Sequence, residues 1–126
     1  DNSRLAMLLA VLESRCGLNF SSAEVYLNIA GGYRLSDPAA DMAVAAALVS
    51  ALADRPLPDK SVWFGEVSLS GEVRPVAHAN LRVKEAAKLG FAAAFGPASS
   101  KTGSSKIAFN GLGQVANLVD RVMSKS

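Results

Sequence analysis

Cysteine and histidine are almost absent: the 126 residues hold one of each, Cys16 and His78. A single thiol excludes a disulfide framework, and no Cys/His cluster is there to hold a structural zinc. Charge is scarce too. Only 19% of the residues are Asp, Glu, Lys or Arg, and 13 basic against 11 acidic side chains leave a net charge of +2. A surplus that small does not by itself mark a nucleic-acid or membrane binder. The longest uncharged apolar run, Met42 to Ala53, covers 12 residues, against the ~20 that cross a bilayer. The first apolar stretch carries Arg4 and Glu13 and reads as an amphipathic helix, not a signal peptide. Neither G-x-x-x-x-G-K-[ST] nor G-x-G-x-x-G occurs, so Gly31-Gly32 reads as a tight strand exit and not as a phosphate cradle.

What remains is a chain half of whose residues are hydrophobic, enough for one core and too short for two domains. The composition fits a single α+β domain in a reducing compartment, expected to be the cytoplasm. The chain opens on Asp1 instead of Met, and the expectation is a segment of a longer protein.

Hydrophobic spacing gives the order of elements. Leu5, Leu8, Leu9 and Leu12 repeat at helical spacing behind a cap at Asn2 or Ser3, and Gly17 stands where the helix stops. Val25, Leu27 and Ile29 alternate with polar residues as a strand. Asp37-Pro38 starts an Ala-rich helix that Arg55-Pro56-Leu57-Pro58 closes. Val62 to Leu69 reads as a strand turning at Ser70-Gly71 into Glu72 to Val76. A helix follows from about His78 to Leu89, closed by Gly90, and then a strand from Phe91 to Phe95, ended by Pro97. Ala98 to Ser105 reads as a mobile loop, Ile107 to Phe109 as a short strand, and Val115, Leu118, Val119 and Val122 as the stripe of a last helix. This order predicts a mixed sheet covered by helices.

No catalytic constellation stands out. His78 has no Ser or Cys partner near it in sequence and reads as a helix-terminus or surface residue. Cys16 sits at a helix C-terminus, whose negative partial charge disfavours a thiolate, so it reads as a half-buried packing thiol.

Gly65-Glu66-Val67-Ser68-Leu69-Ser70-Gly71-Glu72-Val73-Arg74-Pro75-Val76 resembles the strand-turn-strand of Lon-type proteolytic domains, a fold shared with ribosomal protein S5 domain 2. Asp37-Pro38-Ala39-Ala40-Asp41 lies where that family carries its nucleophile helix. Lon-type proteolysis uses a serine activated by a lysine amine. Aligned on the proline the serine position is Ala39, and aligned from Pro75 the lysine position is Asn80. Alanine has no nucleophilic atom and an amide is no general base, so the resemblance implies a degenerate dyad and no catalytic residue. Ser36 and Lys84 are the nearby substitutes on paper.

A narrower resemblance runs along nearly the whole chain. Asn2 to Leu12, Gly31-Gly32, Asp37 to Asp41, Arg55-Pro56-Leu57-Pro58, Phe64 to Val67, Gly71 to Val76 and Lys84-Glu85-Ala86-Ala87-Lys88-Leu89-Gly90-Phe91 are similar to the C-terminal Lon-like domain of the bacterial RadA (Sms) family of DNA repair ATPases. The match fades from about Ala98. The resemblance implies a cytoplasmic repair and recombination protein in which this domain is a hexamer scaffold and an auxiliary contact for single-stranded or branched DNA. No cofactor is implied for this domain. ATP, magnesium and zinc would belong to a RecA-like core and a zinc finger outside it, and no membrane is involved. Three other readings stay open: the Lon-like domain of a magnesium-chelatase-like ATPase, a pure oligomerisation module, and a working Ser/Lys peptidase.

DNA contact needs cations aimed at phosphates. Arg4 and Arg15 return to within about 20° of each other on one helix and could line one path. Arg74, Arg82, Lys84 and Lys88 form a second group around the hairpin and the third helix, and Lys101 and Lys106 flank the loop. Glu13, Glu72 and Glu85 dilute the field, so one copy is expected to bind weakly and a ring to bind through multivalency.

Overall fold

The computed structural model describes residues 3–20, 37–102 and 106–124. The predicted strand around Val25 to Ile29, Gly31-Gly32, Tyr33, Ser36 and the middle of the Ala98 to Ser105 loop lie outside the described residues.

Helix α1 spans Ser3–Cys16 and buries Leu8, Val11 and Leu12. It ends at Gly17, whose φ of 70° places it in the left-handed region and lets its N–H donate back to the Glu13 carbonyl; glycine adopts that conformation without a Cβ penalty. After a 3-10 turn over Pro38–Ala40, α2 runs Asp41–Ala53. Asp37 caps the turn by accepting from the Ala39 N–H at 2.9 Å, and Pro38 begins it. Met42, Ala45, Ala46 and Val49 are fully enclosed, because small alanines let α2 be approached from several sides. The helix ends before the proline pair expected to close it: Asp54 already turns left-handed at φ 53°.

Strands β1 (Ser61–Trp63), β4 (Ala93–Pro97) and β5 (Ala108–Leu112) form a parallel sheet in the order β1-β4-β5. Strands β2 (Glu66–Val67) and β3 (Val73–Arg74) form a separate antiparallel hairpin, with Val67 opposite Val73. Two sequence expectations change here. The single strand from Val62 to Leu69 is split, because Gly65 at φ 138° breaks the extended run and sends β2 into the hairpin. And among the described residues the ladders separate into a parallel sheet and a hairpin, where one mixed sheet was expected. Pro97 also closes β4 from inside it, opposite Leu112 and beyond the last β1 residue, so its missing N–H interrupts no bond to β1.

Helix α3 covers Ala79–Lys88 and α4 covers Val115–Met123. Successive strand residues point to opposite faces, and the two cores follow that alternation. Trp63 and Phe95 face the larger one, built with Leu8, Leu12, Met42, Val49, Leu118 and Val122. Val62 and Ala94 face the smaller one, with Phe64 and with Val83 of α3. The sheet thus lies between α1, α2 and α4 on one side and α3 on the other. All four stripe residues predicted for the last helix, Val115, Leu118, Val119 and Val122, are buried.

Candidate functional site

The start of α2 meets the break between β1 and β2. The Ala39 carbonyl accepts from the Gly65 N–H at 2.9 Å, and the Gly65 carbonyl accepts from the Met42 N–H at 3.1 Å. This backbone clasp leaves no room for a side chain on Gly65: a Cβ there would stand 3.0 Å from both Met42 Cγ and Val73 Cγ1. Ala39, the serine position of the Lon resemblance, is buried against the clasp with only a methyl to offer. Asn80, the lysine position, sits in the first turn of α3, where its Oδ1 is enclosed without a hydrogen-bond partner. Neither side chain can act as nucleophile or base. Ser36 lies outside the described residues, and Lys84 is exposed on α3.

The strongest polar contact next to the clasp is Asp41, the first residue of α2, which is fully buried. Its Oδ1 accepts from Arg4 Nε at 2.6 Å, and its Oδ2 from Arg4 Nη2 at 2.6 Å and from the Val67 N–H at 2.9 Å. Glu66 lies 3.7 Å from the same guanidinium. The Asp41 hydrogen bond pushes the Arg4 pKa further up, with the charges of Asp41, Glu66 and Asp37 adding to it. A two-point Arg–carboxylate fork of this kind fixes α1, α2 and the hairpin relative to one another. The signal for it was present as an acidic residue inside an otherwise apolar run, Pro38-Ala39-Ala40-Asp41-Met42-Ala43-Val44; its partner, 37 residues away, was not.

The fork alters the reading of the candidate DNA contacts. Arg4 is paired to a buried carboxylate and is withdrawn from the exposed path it was expected to share with Arg15. Arg15 is exposed and lies along the hairpin turn, its Cγ 3.4 Å from where a Cβ on Gly71 would be. Arg74 is exposed on β3 with Glu72 at 3.9 Å. Arg82 donates from Nε to the Ala77 carbonyl at 3.0 Å. Lys84 and Lys88 stand one turn apart on the outer face of α3, Lys88 with Glu85 at 3.8 Å. The structure therefore brings Arg15 to the hairpin, and leaves Lys84 and Lys88 on a different element.

His78 is exposed at the left-handed residue that precedes α3 and its side chain makes no capping bond. The Cys16 thiol is pushed up in pKa by burial and by the charge of Asp120, which keeps it protonated. Among the described residues no group of three His, Cys, Asp or Glu could hold a metal ion, and no helix is long and apolar enough to cross a membrane.

Residues 3–100 match the family described as subunit ChlI of Mg-chelatase, and the chain belongs to that family. Within it the chain is similar to the DNA repair protein RadA of several bacteria. It is 66% identical over 91 residues to RadA of Brucella abortus, 72% of this chain and 20% of that protein. It is 60% identical over 91 residues to RadA of Rickettsia felis, again 72% of this chain and 20% of that protein. With RadA of Escherichia coli it shares 47% over 100 residues, 79% of this chain and 22% of that protein. The chain thus spans about one fifth of the length of the curated relatives it matches. The resemblance to the RadA family stands, and the family model that matches carries the magnesium-chelatase description of the reading weighed beside it.

Proposed function

We propose that this domain is a peptidase-inactive, Lon-like module of a RadA-type DNA repair ATPase, serving as a ring scaffold and as an auxiliary DNA-contacting surface. The observation that carries the reading is the 66% identity to a DNA repair protein in a chain whose dyad positions hold a buried methyl, Ala39, and an amide, Asn80. Arg15, Arg74, Arg82, Lys84 and Lys88 supply the cations for sugar–phosphate contact, with Arg4 reserved for Asp41. Contact of that kind is independent of base sequence and weakens with salt. With a net charge of only +2, one copy holds single-stranded or branched DNA weakly, and a hexameric ring of the longer protein adds the contacts together. ATP hydrolysis, magnesium and zinc belong to other parts of that cytoplasmic protein.

The test is the salt dependence of oligothymidylate binding by this chain, alongside its mass in solution and its reaction with a fluorophosphonate probe for activated serines. Weak binding with a negative slope in log salt, lost when the five cations are changed to glutamate, supports the reading. A domain that binds no DNA at low salt is a scaffold alone, and stoichiometric labelling by the probe returns the peptidase.

A further inference from the structure

Four lysines gather at the edge where the parallel strands begin. Lys60 immediately precedes β1, and its carbonyl accepts from the Ala92 N–H at 2.7 Å, which ties it to the loop between α3 and β4. Lys106 lies two residues before β5, whose first residue, Ala108, pairs with Ala93. Lys88 ends α3 and leads through Leu89 and Gly90 into that same loop, and Lys84 stands one turn earlier. Neighbouring strands are about 4.8 Å apart, so Lys60 and Lys106 flank β4 at roughly 10 Å, and Lys84 continues the line about 6 Å up α3 from Lys88. All four are exposed. Among the described residues only Lys88 has a carboxylate within ion-pair distance, Glu85 at 3.8 Å. Asp59 is the other acid beside them. Four lysines against two carboxylates leave an excess of two, the formal net charge of the whole chain.

The arginines present a different picture. Arg4 is held by Asp41 and Arg82 by the Ala77 carbonyl; Arg74 faces Glu72, while Arg121 lies over the Phe95 ring and donates to Asn110. The guanidiniums of these four have partners within the fold, while Arg15 lies exposed along the hairpin turn. Lysine ammoniums are compact point charges, suited to phosphate contact without a fixed geometry. Lys60 adds one more detail: its φ of 54° is a backbone conformation that favours glycine, and the chain has a lysine there.

We infer that Lys60, Lys84, Lys88 and Lys106 form the main edge that contacts the sugar–phosphate backbone of nucleic acid, with Arg15, Arg74 and Arg82 contributing less. The inference rests on the DNA-contacting role proposed above and assigns it to one end of the sheet. Two of the four, Lys60 and Lys106, belong to neither cation group around the hairpin and α1, so the two assignments separate cleanly.

The experiment compares two alanine sets in this chain, Lys60/Lys84/Lys88/Lys106 and Arg15/Arg74/Arg82, by fluorescence anisotropy of labelled oligothymidylate across a salt series. Every substituted side chain is at the surface or partly so, and far-ultraviolet circular dichroism checks that each variant is folded. Each phosphate contact on a single strand contributes about 0.7 to the slope of log affinity against log salt. The lysine set is expected to flatten that slope by about 3. At low salt the lysine variant falls toward background, while the arginine variant stays within about threefold of the parent; in the parent, four contacts correspond to about a 50-fold change between roughly 50 and 200 mM salt. Retained binding in the lysine variant, or equal losses in both, overturns the assignment and leaves the DNA-contacting role standing. A parent chain that binds no oligothymidylate at low salt overturns both.

Discussion

Replacing Asp41 by alanine strips three donors of their acceptor at once: Arg4 Nε, Arg4 Nη2 and the buried Val67 N–H. Removing one partner of a buried ion pair typically costs about 3–5 kcal/mol, and leaving a buried amide unpaired accounts for about 1–3 of that. Two features put Asp41→Ala at the lower end. The Arg4 side chain is 23% exposed, so it can reach water, and Glu66 remains at 3.7 Å. The converse change, Arg4→Ala, is expected to cost more, because it strands a carboxylate with no exposure at all and only the Val67 N–H to serve it. For a domain of this size about 3–5 kcal/mol corresponds to a fall in Tm of about 10–20 °C. Thermal and urea unfolding followed by circular dichroism measure both, and a double-mutant cycle should return a coupling of at least about 2 kcal/mol. An apolar pair, Arg4→Met with Asp41→Leu, should recover most of the loss, since no desolvated charge remains. A drop below about 1 kcal/mol for Asp41→Ala, or strict additivity in the cycle, would refute the claim that this fork ties α1 to α2 and the hairpin.

Three further outcomes are expected. The Cys16 thiol is raised by burial and by Asp120; a folded value above the unfolded one means stability is intact below the unfolded thiol pKa and declines as pH rises through it. Urea midpoints taken at neutral pH and at about pH 10 should therefore fall less in Cys16→Ala than in the parent. Glycine substitutions should rank by space as well as by φ. Gly65→Ala is expected to cost about 3 kcal/mol and Gly96→Ala, whose Cβ would lie 2.6 Å from Phe64 Cζ, about 2, against about 1 for Gly17→Ala, which meets nothing within 4 Å. Arg121→Ala, which removes a guanidinium 5.3 Å from the Phe95 ring centre, should cost about 0.5–1 kcal/mol by chemical denaturation.

The helices were legible because their signals are local. Asp37-Pro38, Gly17, Gly90 and the Val115-Leu118-Val119-Val122 stripe each act within a turn or two of themselves, and each lies where the sequence puts it. The strands were legible in position and less so in extent. Alternation cannot show that Gly65 leaves the extended region, because that break is set by packing against Met42 and Val73 from distant segments. The site divides the same way. Ala39 and Asn80 follow from alignment to a motif, whereas the Arg4–Asp41 pair joins residues 37 apart and depends on α1 crossing the start of α2. A helical wheel puts Arg4 and Arg15 on one face and cannot show that Asp41 takes Arg4 out of the exposed path. Lys60 carries no signal in the sequence, because a lysine between Asp59 and Ser61 reads as a solvated loop residue until the strand order shows which other cations share its edge.

Trp63 is the chain's single tryptophan, and its ring lies face to face with Phe95 across the β1–β4 ladder, 4.0 Å between centres and 6° from parallel. The hairpin and α3 lie between those two strands in sequence, so joining them closes a connection of about 30 residues. Such non-local pairing is slow compared with helix formation. Indole emission consequently serves as a natural clock for one event in refolding, the docking of β1 on β4. In stopped-flow experiments it should trail the helical dichroism signal, which reports the locally specified helices.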